Sequence, residues 1–304
     1  MTQTEELFER DRAPLVRHAY HMLGSMSDAE DVVQDAFVRW YRERRDDVRD
    51  PHAYLRTTVT HLSLDRLRAN KRSREEYIGP WLPEPILVDE SATPEHVVTI
   101  AEDISFAFLL ALERLSPLER AAFLLHDALD VPFAEIARTL ERSEESVRRL
   151  ASRARRAIHE ERDRRIPPAL DADTLRKQFT TAVLSGDVAQ ITALLTDDVV
   201  LLTDGGGKKA AAINPVVGAD RVGRFLEGVV RKGLSQIPEV RPATINGLPG
   251  FLALGLDGLD GAWALELQGE KIAAVYVWRN PDKLAAIATA TGLPICLPHD
   301  AAGG

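Results

Sequence analysis

The chain has 304 residues, 45% of them hydrophobic and 28% charged, with a formal net charge of −9 and a single cysteine, Cys296. That length holds two or three domains with cores of their own. No run of about 18 apolar residues occurs, so no membrane-spanning helix is expected, and the charged start MTQTEELFERDR lacks the apolar stretch of a secretion signal. One cysteine excludes an intrachain disulfide framework and fits a reducing, cytoplasmic compartment. An acidic chain is a poor non-specific coat for nucleic acid, but its charge is unevenly placed. Residues 56–74 carry Arg56, Arg66, Arg68, Lys71, Arg72 and Arg74 against Asp65 alone. Residues 142–156 carry six arginines against Glu144 and Glu145. Two local basic stretches predict two separate contacts with nucleic acid.

Residues 5–45 predict two helices. Leu7, Leu15, Val16, Ala19 and Leu23 line the inner face of the first, which ends near Gly24. Ser27 with Glu30 reads as a capping box opening SDAEDVVQDAFVRWYRER. Val33, Ala36, Phe37 and Trp40 form its inner stripe, with Asp28, Asp31, Gln34 and Asp35 off it. After a polar break comes PHAYLRTTVTHLSLDRLRANKRS, burying Leu55, Val59 and Leu62. Its other side offers Tyr54, Arg56, Thr57, His61, Arg68 and Lys71. An aromatic ring beside cations and small hydroxyls suits unstacked bases on one strand.

Residues 75–103 change character. Pro80, Pro83, Pro85 and Pro94 break helix, and WLPEP (81–85) makes a stiff linker. Trp81 is costly to leave in water and is expected to dock. Residues 104–130 return to helix, with Ser116, Pro117 and Glu119 as a helix start. The stretch 133–158, FAEIARTLERSEESVRRLASRARRAI, then predicts two short helices joined by a tight turn. Ser143 is the N-cap of the second. Val147, Leu150, Ala151, Ala154 and Ile158 form one apolar stripe. Arg149, Ser152, Arg153 and Arg156 point the other way, with Arg148 and Arg155 on the flanks. A core stripe backed by arginines is what a major-groove recognition helix needs.

Ile166-Pro-Pro marks a second boundary, after which the pattern becomes α+β. Helices are expected over 173–185 and 187–195, a strand at 199–203, a glycine loop DGGGK at 204–208 and a helix in GADRVGRFLEGVVRKG. Strands are expected at 252–256, 262–268 and 271–278, divided by turns at Asp257-Gly258, Asp260-Gly261 and Gly269-Glu270. NPDKL (280–284) begins a last helix, and the tail from Thr291 is expected to be loose.

The first half resembles an extracytoplasmic-function sigma factor of bacterial RNA polymerase. DAEDVVQDAFVRWYR is similar to the polymerase-binding helix of region 2, AYLRTTVTHLSLDRLR to the −10 element helix, and residues 112–158 to region 4. His61 stands where many relatives carry asparagine, which leaves the −10 preference open. WLPEP, DGGGK and NPDKL together resemble the subgroup with a fused C-terminal SnoaL-like domain, a curved α+β cone that regulates the sigma module in cis. The resemblance implies two all-α sigma domains followed by that cone: 1–74 region 2, 75–103 linker, 104–166 region 4, 167–290 cone, 291–304 tail. It implies core RNA polymerase and promoter DNA as partners, and no cofactor. Asp31, Gln34, Asp35 and Phe37 would grip the polymerase; Tyr54, Arg56, Thr57, His61, Arg68 and Lys71 would meet the opened −10 strand. Glu145, Arg148, Arg149, Ser152, Arg153 and Arg156 would face the −35 duplex.

The glycine loop Asp204, Gly205, Gly206, Gly207 and Lys208 is expected to dock on Trp81, Leu82 and Pro83. Lys208 and Lys209 would face Glu84, Asp89 and Glu90, and Asn280 and Pro281 would bias the docked form. Enzyme motifs are missing: DGGGKK lacks P-loop spacing, no G-x-S-x-G occurs, and His18 with His21 shows no third metal ligand. Asp204, Asp257, Glu266 and His299 are the polar candidates for a rival catalytic reading. A small ligand in the cone, or a simple helix-turn-helix repressor, are the other rivals. The reading is a non-enzymatic initiation factor, off the membrane and monomeric when free.

Overall fold

Gly24 sits in the left-handed region at φ 68° and stops the first helix, as glycine does at little cost. In the structure, a computed structural model, residues 3–43, 48–88, 106–162, 171–232 and 239–297 are described. They fall into two compact units, Met1–Glu76 with Ala107–Arg164, and Tyr77–Phe106 with Arg165–Gly304.

The first unit is helical. Helices α1 (Gln3–Leu23), α2 (Met26–Glu43) and α3 (Pro51–Glu75) pack on one another. Ala19, Tyr20, Met22, Ala29, Ala36, Leu55 and Val59 are buried between them. The cap of α2 is Ser25 rather than Ser27: its Oγ accepts the Asp28 amide at 3.2 Å. The chain leaves its left-handed turn one residue after Gly24, so the first available hydroxyl takes the orphan amide.

Helix α4 (Phe106–Glu113) leads to α5 (Pro117–Phe123), which begins with the expected capping box of Ser116 and Glu119. A π turn over Leu124–Ala128 follows. Helices α6 (Phe133–Thr139) and α7 (Glu144–Arg162) form the helix-turn-helix. Ser143 caps α7 through the Ser146 amide, and Val147, Leu150, Ala151 and Ala154 are buried as the stripe requires.

The second unit holds a seven-stranded sheet in the order β1-β4-β5-β6-β7-β2-β3. The strands are β1 (Leu87–Val88), β2 (Leu195–Asp204), β3 (Val216–Val217), β4 (Glu239–Ile245), β5 (Leu248–Gly255), β6 (Gly258–Gln268) and β7 (Lys271–Trp278). All neighbours run antiparallel except β2 and β7. Helices α8 (Ala172–Ser185), α9 (Val188–Ala193) and α10 (Ala219–Lys232) close one face. Phe179, Ile191, Val222 and Leu226 meet Phe251, Trp263, Leu265, Val275 and Val277 there. The last helix is α11 (Pro281–Thr291), capped by Asn280.

Two expectations are corrected. Asp260-Gly261 is no turn but lies inside β6, and the turn is at Leu256-Asp257. The tail is not loose from Thr291: Ile295 bridges Leu259, and the Cys296 amide bonds the Leu259 carbonyl at 2.9 Å. Residues 298–304 lie outside the described residues.

The sheet is buried on both faces. The row Phe251, Trp263 and Val277 faces the helices, while the adjacent row Leu252, Ala262 and Trp278 is buried on the other side. That outer face is covered by the chain's own linker. Phe106 packs edge-on against Tyr276 and Trp278, at 4.6 and 5.2 Å between ring centroids. Both flank a sheet that a free α+β domain would expose to water.

Candidate nucleic-acid interface

The six residues expected at the −35 duplex share one face of α7. Glu145, Arg148, Arg149, Ser152, Arg153 and Arg156 line a shallow open depression of about 470 Å³, and all six are exposed. Most of the arginines are held by carboxylates. Arg148 pairs with Glu144, Arg149 with Glu145 and Arg153 with Glu119, at 2.5, 2.5 and 2.6 Å. Burial raises the Glu119 carboxyl, but Ser116 and Arg153 outweigh it and hold the group below its usual range. Such exposed pairs are worth little in stability. Their effect is to narrow the side-chain orientations before any phosphate or base edge arrives.

Helix α3 presents its outward side chains to α6. Arg56 pairs with Glu135 at 2.5 Å, Thr57 Oγ1 lies 3.3 Å from Thr139 Oγ1, and His61 Nε2 lies 2.5 Å from the Thr139 carbonyl. Three of the residues expected at the opened −10 strand thus already have partners in the same unit. Tyr54 is half-buried, its ring 5.4 Å from Trp40. Arg68 is exposed and paired with Asp65 at 2.8 Å. The Lys71 side chain lies outside the described ones. Behind α3, Arg120 is buried and donates to the Met22 carbonyl and to Glu113, at 2.6 and 2.7 Å.

On α2, Asp31, Gln34 and Asp35 are exposed in a row. Asp31 lies 3.8 Å from Arg66. Phe37 is only 7% exposed. It belongs to the core, and its place on the inner stripe outweighs a role on the surface.

In the second unit the glycine loop, the linker and the start of α11 do come together. Asp204, fully buried, accepts from the Tyr77 hydroxyl at 2.5 Å, the Leu82 amide at 2.9 Å and Lys283 at 2.6 Å. Burial and that carboxylate push the Tyr77 phenol up. Asn280 donates to the Tyr77 oxygen at 2.9 Å, and Pro281 is buried at N1 of α11. Gly206 and Gly207 are left-handed, at φ 60° and 71°; a Cβ on them would lie 2.3 Å from Asn280 and 2.9 Å from Ile78. Only glycine lets the loop pass so close. The two cations are a correction. Lys208 pairs with Asp282 and Lys209 with Asp260, at 2.5 and 3.0 Å. They fasten the loop to its own domain rather than to Glu84; Asp89 and Glu90 lie outside the described residues. Sequence reading missed Lys283 and Asn246, whose only signals were a lysine in NPDKL and an Asn-Gly turn.

The rival readings find less. Phe251 stacks on Trp263 within the core between sheet and helices, with ring centroids 5.3 Å apart. Among the described residues, a cavity of about 10 Å³ lies beside this pair, room for about one water. Glu266 is bonded to the Tyr276 hydroxyl at 2.6 Å, and His299 lies outside the described residues. Among the described residues no cluster of metal-binding side chains occurs, and no helix is long and apolar enough to cross a membrane.

Comparison with known proteins agrees with this geometry. The family model for sigma-70 region 2 matches residues 7–73, and that for sigma-70 region 4 matches residues 105–158. The chain is 39% identical to the ECF RNA polymerase sigma factor SigJ of Mycobacterium tuberculosis, over 95% of this chain and 93% of that one. It is 32% identical to the probable sigma factor SigI of the same species, over 90% and 92%. The crystal structure of SigJ superposes with a TM-score of 0.74 at 36% identity, covering 96% of this chain and 99% of that one.

Proposed function

The chain belongs to the extracytoplasmic-function sigma factors of RNA polymerase, and we infer from that how its parts divide the work. It binds core RNA polymerase and directs it to promoters to initiate transcription. The exposed row Asp31, Gln34 and Asp35 on α2 meets the polymerase. The outward face of α3 takes the opened −10 strand, and α7 reads the −35 duplex in the major groove. The protein works where the polymerase does, in the cytoplasm, with no catalytic step of its own. The second unit regulates the sigma module in cis by holding the linker.

The observation that carries this reading is the arginine face of α7, fixed on a buried stripe and lined by all six −35 candidates. Run-off transcription with core polymerase tests it. Full-length protein should support promoter-specific transcripts, and a preparation that binds promoter DNA yet never associates with core enzyme would mark a repressor instead. Within that assay, Arg149→Ala should weaken −35 binding by about 1–3 kcal/mol for the cognate sequence if the guanidinium pairs with a base edge. Equal weakening across all sequences would assign it to phosphate.

The pairing of Arg56, Thr57 and His61 with α6 supports a second step. A strand of DNA competes with Glu135 for Arg56, so the sigma module opens before the −10 strand is seated. Both partners of the pair are about a quarter exposed, which places its strength near 1 kcal/mol. Glu135→Lys replaces attraction with repulsion. Binding of a single-stranded −10 oligonucleotide should then rise roughly fivefold, an order-of-magnitude figure from such a pair. Unchanged binding, measured by fluorescence anisotropy, would show that the α3–α6 contact does not gate the strand.

A further inference from the structure

Arg148 is held on the arginine face of α7 by more than a carboxylate. Its Nε and Nη2 donate to Glu144 Oε1 at 3.2 and 2.5 Å. Its guanidinium carbon also lies over the Phe133 ring, 4.4 Å from the ring centroid. Phe133 is the first residue of α6, with Pro132 as its N-cap. The Phe133 ring in turn meets the His126 ring, with centroids 3.8 Å apart and planes 31° from parallel. His126 belongs to the π turn that follows α5. A carbonyl can only accept, so His126 Nδ1 donates to Val131 at 3.0 Å. The Val131 amide donates to the Leu125 carbonyl at 2.9 Å, and both of those residues are buried. A chain of contacts thus runs from the core of the helix-turn-helix to one guanidinium on its outer face.

Two features set Phe133 apart from an ordinary core residue. The inner face of α6 is built by Ile136 and Leu140, both buried, whereas Phe133 is only half-buried. The π turn that supplies His126 is of a rare kind that recurs at functional sites. The contact also suits nucleic acid chemically. A carboxylate occupies the N–H donors that it bonds. A ring attracts the positive charge through its face and leaves those donors for a guanine edge or a phosphate. Glu144 and Arg148 are both exposed, so their ion pair exchanges readily for an acceptor on DNA. The ring contact survives that exchange, and Arg148 loses less side-chain freedom on binding.

We propose that Phe133 is a positioning residue for −35 recognition: its ring, supported by His126, holds Arg148 in the orientation that meets the duplex. The inference deepens the proposed role of α7 and rests on it.

Holoenzyme assembled from core polymerase and the full-length chain tests it, with a fluorescently labelled promoter duplex taken from the run-off assay. Phe133→Leu keeps an apolar side chain and removes the ring. It should weaken binding by roughly three- to fivefold, the range of an exposed cation–ring contact. Phe133→Tyr keeps the ring and should bind within about twofold of wild type. In an Arg148→Ala background, Phe133→Leu should change binding by less than about twofold, because the two residues act as one unit. An equal loss with and without Arg148 would make Phe133 merely structural and overturns the proposal, as does wild-type binding by Phe133→Leu. Nuclear magnetic relaxation of the Arg148 Nε–H group in the chain without polymerase gives a readout independent of DNA. That group should become more mobile in Phe133→Leu and not in Phe133→Tyr; unchanged mobility in Phe133→Leu also overturns the proposal. The two readings separate cleanly. Promoter binding that Arg148→Ala and Arg149→Ala both leave unchanged sinks the reading role of α7, and the positioning role with it. Binding weakened by Arg148→Ala but not by Phe133→Leu sinks the positioning role alone.

Discussion

Asp204→Ala is expected to destabilise the second unit by about 3–5 kcal/mol, the cost of removing one partner from a buried ion pair. The substitution leaves the Lys283 ammonium, 7% exposed, with its charge uncompensated. It also strips the acceptor from the Tyr77 hydroxyl and the Leu82 amide. Burying polar groups without partners is costly whatever the pair's net worth. Removing both charges, in Asp204→Leu with Lys283→Met, should recover part of the loss, because an apolar pair carries no stranded ion. Tryptophan fluorescence reports the right region: Trp81, Trp263 and Trp278 lie in the second unit and Trp40 in the first. Urea unfolding of the single variant at wild-type free energy would remove this network from the fold's main supports.

The position of Asp204 also shows what could be read in advance. DGGGK, WLPEP and NPDKL were legible as one assembly through the family resemblance the three motifs carry together, not through their composition. The partners of Lys208 and Lys209 were not. A cation finds a carboxylate by three-dimensional proximity, and Asp260 and Asp282 are 51 and 74 residues away in the chain. Strand β4 was missed because Pro242 and the charged Glu239 and Arg241 argue against a strand. It forms because it lies near the sheet's edge, where its one remaining neighbour is the two-residue β1.

The helix-turn-helix was legible almost to the residue. Its apolar stripe is local, its cap is local, and the arginine face follows from the helical period. The contact between α3 and α6 was not, since Thr57, His61, Glu135 and Thr139 carry no sign of their mutual approach. The outward face of α3 reads as a free surface for DNA, and in this conformation it is occupied. Phe37 is the opposite case. Its position on the inner stripe was visible, and packing decided its role.

Acidification is expected to loosen the first unit through His18 and His21, two groups that play no part in the proposed chemistry. His18 is buried with Nε2 3.0 Å from the Thr60 hydroxyl, which itself donates to the Arg56 carbonyl. His21 is buried with its ring 5.8 Å from Phe108, edge to face. Burial, then the charge of Arg56, lowers the His18 pKa to about 4. Burial, then His18 and Arg17, lowers that of His21 to about 3. The unfolded chain binds these protons near pH 6.5 and the folded chain does not. Stability is therefore full above about pH 6.5 and falls as pH drops towards the folded values, with a slope near 1.4 kcal/mol per pH unit for each group. Between pH 6.5 and pH 5 the two together should cost roughly 3 kcal/mol. Carboxylates contribute little in that window, because their unfolded values lie near 4. Urea unfolding followed by helical circular dichroism at pH 7, 6 and 5 measures the loss. His21→Leu keeps an apolar side chain beside Phe108 and should remove about half of it. A midpoint that stays level from pH 7 to 5, or an unchanged slope in His21→Leu, would show that these imidazoles are not kept neutral by the fold. The loss bears on function as well, since His18 and Thr60 brace the helix that carries Arg56, Thr57 and His61.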